Sequence, residues 1–207
     1  MQTPNGSVYS HLHPDRQFWF PGAASSCGAG VLPHFFPEAD LAAWDEQAQP
    51  YLPTGLSSYP LTQPGERYPV SDPHFPGLIP LCEDPPARFY AILLEGVALV
   101  ERLGIERLEA LGVSRSPQIW TTGGGCKSCL WLTIRASILQ RELILPRYPQ
   151  PAMGAAILAA AGYWGCSVQE AATTLVQTGQ QIQPRTDWIQ PYETQYQDLC
   201  QKVSHLI

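Results

Sequence analysis

The chain has 207 residues, 44% of them apolar, which is enough to fill the core of one good-sized domain or two small ones. Only 14% are charged, with 12 Lys plus Arg against 18 Asp plus Glu and a formal charge of −6. A phosphate backbone or an anionic bilayer calls for a basic stripe, and a chain whose lysines are Lys127 and Lys202 alone has none, so neither nucleic acid nor a membrane is an expected partner.

Proline divides the chain, with 15 of 21 prolines in the first 86 residues, where they interrupt long helices. Residues 1–83 therefore read as a loop- and β-rich part, and 84–207 as an α/β part with C-terminal helices. Ser7 to His11 and Gln17 to Phe20, on either side of His13-Pro14-Asp15, predict a hairpin. Ser25 or Ser26 can cap a short helix through Phe36, shortened or kinked at Pro33, and a second short helix is expected from Glu38 to about Gln47. Pro50 to Pro80 reads as an ordered meander.

Asp84 and Pro85 make a cap and first-turn pair for a long helix ending near Gly104, with a further turn or two to Gly112. Its buried face is expected to carry Phe89, Ile92, Leu93, Gly96, Val97 and Val100. Gln118 to Thr122 reads as a short buried strand, Gly123 to Gly125 as a turn, Lys127 to Gln140 as a helix and Glu142 to Leu145 as a strand. Pro151 to Trp164, 14 residues of mostly Ala and Gly, is shorter than the roughly 20 that span a bilayer and reads as a buried helix. Ser167 to Glu170 is a capping box for a helix stopping at Gly179, and after Pro191 the spacing puts Tyr192, Tyr196, Leu199 and Val203 on one face.

Asp15 and Arg16 lie where a secretion signal would run apolar, so a cytoplasmic location is expected. The six scattered cysteines, Cys27, Cys82, Cys126, Cys129, Cys166 and Cys200, are expected to be reduced.

The sharpest local feature is Thr121-Thr122-Gly123-Gly124-Gly125-Cys126-Lys127-Ser128, three glycines between a strand and a helix start. Without β-carbons the backbone can approach a flat ring or a phosphate, and the amides of a helix start favour anions. The spacing fits neither a Walker A loop nor the dinucleotide fingerprint, and a tight turn without any ligand reads equally well. Cys126 and Cys129 form a C-x-x-C at that helix start; a redox pair or half a zinc site is the sharp reading, and chance spacing the bland one. Among carboxylates, Glu101, Glu106 and Glu109 read as a solvated helix face, Arg67 and Asp72 as a paired loop, and Glu95 resists a dull explanation.

Several segments together resemble the FGGY carbohydrate kinases, closest to the D-ribulose kinase and xylulokinase-like branch. They are Ala24-Ser25-Ser26 with Gly28 and Gly30; Gly65-Glu66-Arg67 with Pro69 and Asp72-Pro73; Tyr90 to Ala98; Gly123 to Ser128 with Trp131; Gly154 to Ala160; and the tail from Glu170 to Tyr196. The resemblance implies an α/β fold, a partial actin-like ATPase (ribonuclease H-like) lobe, namely the C-terminal domain of a sugar kinase with its first strands missing. It implies ATP and Mg2+ as cofactors, with Gly123, Gly124, Gly125, Lys127 and Ser128 lining the nucleotide site and Trp131 in the core behind them. No residue is carried over as catalytic or as a metal ligand, because the family's base and first phosphate loop lie in segments this chain does not contain. Sugar would then bind only with an N-terminal lobe, for instance one supplied by a second chain. A non-catalytic nucleotide-binding or interaction remnant is the alternative, and a redox or metal protein using Cys126 and Cys129 a third.

Overall fold

In a computed structural model that describes residues 6–38, 40–80 and 85–206, the aromatic and β-branched segments around His13 pair as expected. Strands β1 (Val8–Leu12) and β2 (Trp19–Ala23) form an antiparallel hairpin with Val8 opposite Ala23 and Leu12 opposite Trp19. Its tip is tied by the His13 amide donating to the Phe18 carbonyl at 2.9 Å, and the His13 ring stacks on Phe18 with centroids 4.1 Å apart.

Helix α1 (Val31–Phe35) is short, in line with Pro33, but neither Ser25 nor Ser26 caps it. Both serve Glu66 instead, the Ser25 hydroxyl donating at 2.6 Å and the Ser26 amide at 2.8 Å. Helix α2 (Leu41–Ala48) starts three residues later than expected: Glu38 has φ +58°, which no α-helix accommodates, and Asp40 accepts from the Ala42 and Ala43 amides as N-cap. The segment 50–80 is irregular, held by isolated bridges between Tyr59 and Leu78 and between Glu66 and Asp72, with Tyr59, Leu61, Val70 and Phe75 buried beneath.

Helix α3 (Pro86–Ala110) passes through Gly104 without stopping, and the Asp84 cap lies outside the described residues. Gly104 admits the Tyr68 ring, whose Cε1 would stand 3.2 Å from a β-carbon there, so its glycine serves a contact and not a helix end. The expected single apolar face is also too narrow. Every residue from Tyr90 to Val100 is buried, because α2, helix α4 (Cys129–Leu139) and helix α7 (Thr186–Val203) each cover a different side.

The second sheet has the order β3 (Gln118–Trp120), β4 (Glu142–Pro146), β5 (Thr178–Ile182), with β3 parallel and β5 antiparallel to β4. Leu143, Ile144 and Leu145 of the central strand are buried, whereas β3 is an edge strand and Trp120 stands 51% exposed, against the expectation of a buried strand. β5 replaces the expected end of the preceding helix. Helix α6 (Val168–Leu175) does open with the Ser167–Glu170 capping box, but Gly179 lies in β5, where a β-carbon would meet the Leu145 carbonyl at 3.0 Å.

Helix α5 (Pro151–Trp164) departs most from expectation. Ala161 is its one residue classed as buried, while Leu158 and Trp164 are about half exposed and Tyr163 is 89% exposed. Helix α7 begins at Thr186 and carries Pro191 inside it, where the missing amide leaves the Asp187 carbonyl without its i→i−4 donor, and Tyr192, Tyr196, Leu199 and Val203 are buried as their spacing predicts. One core cluster runs from Val31 to Val203 and draws on residues from both sides of position 84; a smaller one, including Leu132, Leu139 and Leu143, lies between α4 and the sheet. Among the described residues no single helix is long and apolar enough to cross a membrane.

Candidate functional site

The glycine turn follows directly from β3. Thr121 is buried and its amide still donates to the Ile144 carbonyl at 2.9 Å, which fixes where the chain leaves the sheet. Gly123 has φ +101°, open to glycine and strained for other residues, and Gly124–Lys127 form one 3-10 turn. Ser128 then caps α4, its hydroxyl accepting from the Trp131 amide at 2.9 Å. All five residues expected at a nucleotide, Gly123, Gly124, Gly125, Lys127 and Ser128, thus lie on one turn at a helix N-terminus.

The three glycines have different reasons. A β-carbon on Gly125 would stand 2.7 Å from Trp131 Cζ3, and Trp131 is held in the core by its indole N–H donating to the Leu94 carbonyl at 3.0 Å. Gly123 is required by its φ. Gly124 has neither constraint: no atom lies within 4 Å of a β-carbon placed there, and its φ is not positive. The space in front of Gly124 is open, as it is at Gly123.

Two cavities flank the turn. One, about 430 Å³, lies between the turn, α1 and α2 and is lined by Ala29, Leu32, Asp45, Gly124, Lys127 and Ser128 among others. The other, about 370 Å³, lies on the far side and includes Tyr68, Glu101, Thr122 and Arg135 in its wall. Asp45 was not singled out by sequence; nothing local distinguishes it until α2 is folded against the turn. Burial pushes its carboxyl above the usual range, against the opposing pull of Ser128 and of the Tyr90 hydroxyl, which donates to Oδ1 at 3.1 Å. In the second cavity Arg135 holds Glu101 through two bonds of 2.8 and 2.7 Å, and against burial, which lowers it, the Glu101 carboxylate together with Cys126 raises the pKa of the guanidinium.

The architecture and this turn coincide with one known family model, which matches residues 2–163 and describes the C-terminal domain of the FGGY family of carbohydrate kinases. The chain belongs to that family. It is 31% identical over 134 residues to a xylulose kinase of Bacillus subtilis, an alignment covering 63% of this chain and 27% of that protein. Among solved structures, a xylulose kinase from Lactobacillus acidophilus superposes with TM-score 0.82 at 19% identity, covering 100% of this chain and 43% of that one. A xylulose kinase from Rhodospirillum rubrum gives TM-score 0.73 at 28% identity, covering 97% and 42%. The chain thus spans well under half the length of these FGGY kinases, and its fold is that of their C-terminal lobe, an actin-like ATPase fold.

The other residues weighed from sequence take structural places in this FGGY lobe. Glu101, Glu106 and Glu109 are not a solvated face: they bind Arg135, Arg102 and Arg141, and Glu106 also accepts from the Tyr196 hydroxyl at 2.5 Å. Arg67 and Asp72 do not pair among the described residues; Glu66 and Asp72 exchange backbone bonds of 2.9 and 3.0 Å instead, while the Glu66 carboxylate gathers donors from five residues, Ser25, Ser26, Tyr59, Arg67 and Tyr68. Glu95 is sealed under Thr54 and Gln195, which donate to its carboxylate, and burial raises its pKa. Cys126 and Cys129 are both free, and among the described residues no group of three His, Cys, Asp or Glu side chains could hold a metal ion.

Proposed function

We propose that this chain is the ATP-binding portion of an ATP-dependent kinase that phosphorylates a sugar hydroxyl, of the pentulose type, and that it works in the cytoplasm. The observation that carries the nucleotide part is Gly124, whose open front leaves backbone accessible beside a cavity of about 430 Å³. A nucleotide fits this donor set. The glycine backbone admits a flat ring, the first amides of the 11-residue α4 favour phosphate, and exposed Lys127 adds a positive charge at the same turn. ATP would supply the phosphoryl group, and Mg2+ would accompany its phosphates. The described residues offer Mg2+ no acidic cage, so no step is assigned to the metal here.

The chain alone is expected to be inactive. Two of its acids, Glu95 and Glu101, are committed: Glu95 is buried and multiply bonded, and Glu101 is clamped by Arg135. Phosphoryl transfer depends on positioning, and general-base help alone contributes about 10²–10⁴-fold. A first lobe carrying the base would complete the sugar pocket, and the apolar exposed face of α5 beside Trp120 and Tyr148 is the surface we assign to it.

The test is a coupled ADP-release assay with D-ribulose and D-xylulose, alongside calorimetry with ATP. ATP binding without sugar-dependent turnover supports the reading. Turnover by the chain alone would show that one of its carboxylates is the base, and absence of ATP binding would remove the nucleotide site.

A further inference from the structure

We propose that Asp45 is the residue by which this lobe recognises the ribose of its nucleotide, its carboxylate accepting a hydrogen bond from the 2′-hydroxyl. The inference rests on the nucleotide reading above and adds to it a recognition residue that the glycine turn does not contain.

Asp45 lies within α2 and lines a cavity together with Gly124, Gly125, Lys127 and Ser128 of the glycine turn. The lining is chemically mixed. Lys127 and the N-terminus of α4 attract phosphate, Ala29, Leu32, Leu41 and Trp131 contribute apolar surface, and Asp45 and Asp40 contribute carboxylates. Asp40 is already engaged, its Oδ1 capping α2 through the Ala42 and Ala43 amides. Asp45 is fixed in direction by the Tyr90 hydroxyl at 3.1 Å, and among the described residues no lysine or arginine forms an ion pair with it.

A half-buried carboxylate without a cation is costly unless its lone pairs find donors. An ionised carboxylate has about four acceptor sites, so the hydroxyls of Tyr90 and Ser128 leave capacity for a ligand. The phosphates cannot be that ligand group, since like charges repel. The adenine edge offers one amino donor among ring acceptors that a carboxylate would also repel. The ribose hydroxyls donate without that conflict.

The experiment is calorimetry of the chain with ATP and with 2′-deoxy-ATP, in the wild type and in Asp45→Asn. Loss of one hydrogen bond to a charged acceptor corresponds to about tenfold or more in affinity. The wild type is expected to bind ATP at least tenfold tighter than 2′-deoxy-ATP, and Asp45→Asn to reduce that ratio to about twofold or less. Equal wild-type affinity for the two nucleotides overturns the proposal, and this arm requires no variant to fold. A folded Asp45→Asn variant that keeps the full ratio also overturns it. Should the wild type bind neither nucleotide, the nucleotide site itself fails, which is a different result from binding both equally.

Discussion

The Trp131 ring occupies the space a side chain at Gly125 would need, with Cζ3 at 2.7 Å from the β-carbon position. Trp131 cannot retreat easily, since it is buried and its indole N–H is bound to Leu94. Gly125→Ala is therefore expected to cost about 1–3 kcal/mol, the range for overpacking a core. Gly124→Val, one residue away in open space, should leave the urea midpoint nearly unchanged while abolishing ATP binding. Equal destabilisation by the two substitutions would contradict this division of roles.

Glu66 is a second stress point. Its buried carboxylate accepts from the Ser25 and Tyr59 hydroxyls and the Ser26 and Arg67 amides, at 2.6 to 2.9 Å. Removing one acceptor strands several donors, each costing about 1–3 kcal/mol if left buried without a partner. Glu66→Ala should lose at least about 3 kcal/mol by chemical denaturation. A loss below about 1 kcal/mol would mean that water replaces the carboxylate freely.

Glu95 should make stability depend on pH. Burial raises its folded pKa above the ordinary 4.5, so the folded state holds the proton longer than the unfolded chain. Its contribution favours folding below pH 4.5 and is lost as pH rises through the folded value. Glu95→Gln does not titrate, so the stability difference between variant and wild type should move in the variant's favour over that interval. Urea denaturation at a series of pH values reads the slope, and a constant difference would refute it.

The face of α5 predicts a separation between stability and association. Leu158 and Tyr163 are 49% and 89% exposed, so Leu158→Glu and Tyr163→Glu should each change the stability of this chain by no more than about 0.5 kcal/mol. Both should weaken capture of a kinase first lobe in a pull-down. Marked destabilisation of the isolated chain would instead place these side chains in its own core.

Features governed by neighbours in sequence were legible. The hairpin around His13, the Ser167–Glu170 box and the buried stripe of α7 each follow from residues a few positions apart. So did the glycine turn, whose meaning is local. What failed depended on partners far along the chain. The apolar sequence of α5 reads the same whether it faces a core or an open surface. Gly104 and Gly179 look like stops until Tyr68 and the Leu145 carbonyl are seen beside them. Polar Thr178–Ile182 carries no strand pattern, and it pairs because β4 presents an edge. Asp45 gained its significance only when α2 closed over a turn more than a third of the chain away.

The Asp15 carboxylate, at the tip of the first hairpin, accepts from the Val168 amide at 2.9 Å and from the Gln169 amide at 3.4 Å. During synthesis the hairpin emerges before its anchor, which is 153 positions further on. At translation rates of roughly 5–20 residues per second, the hairpin waits on the order of ten to thirty seconds for that partner. Until then the Asp15 carboxylate lacks both of its α6 amide donors. The tie between hairpin and α6 is thus closed late in synthesis.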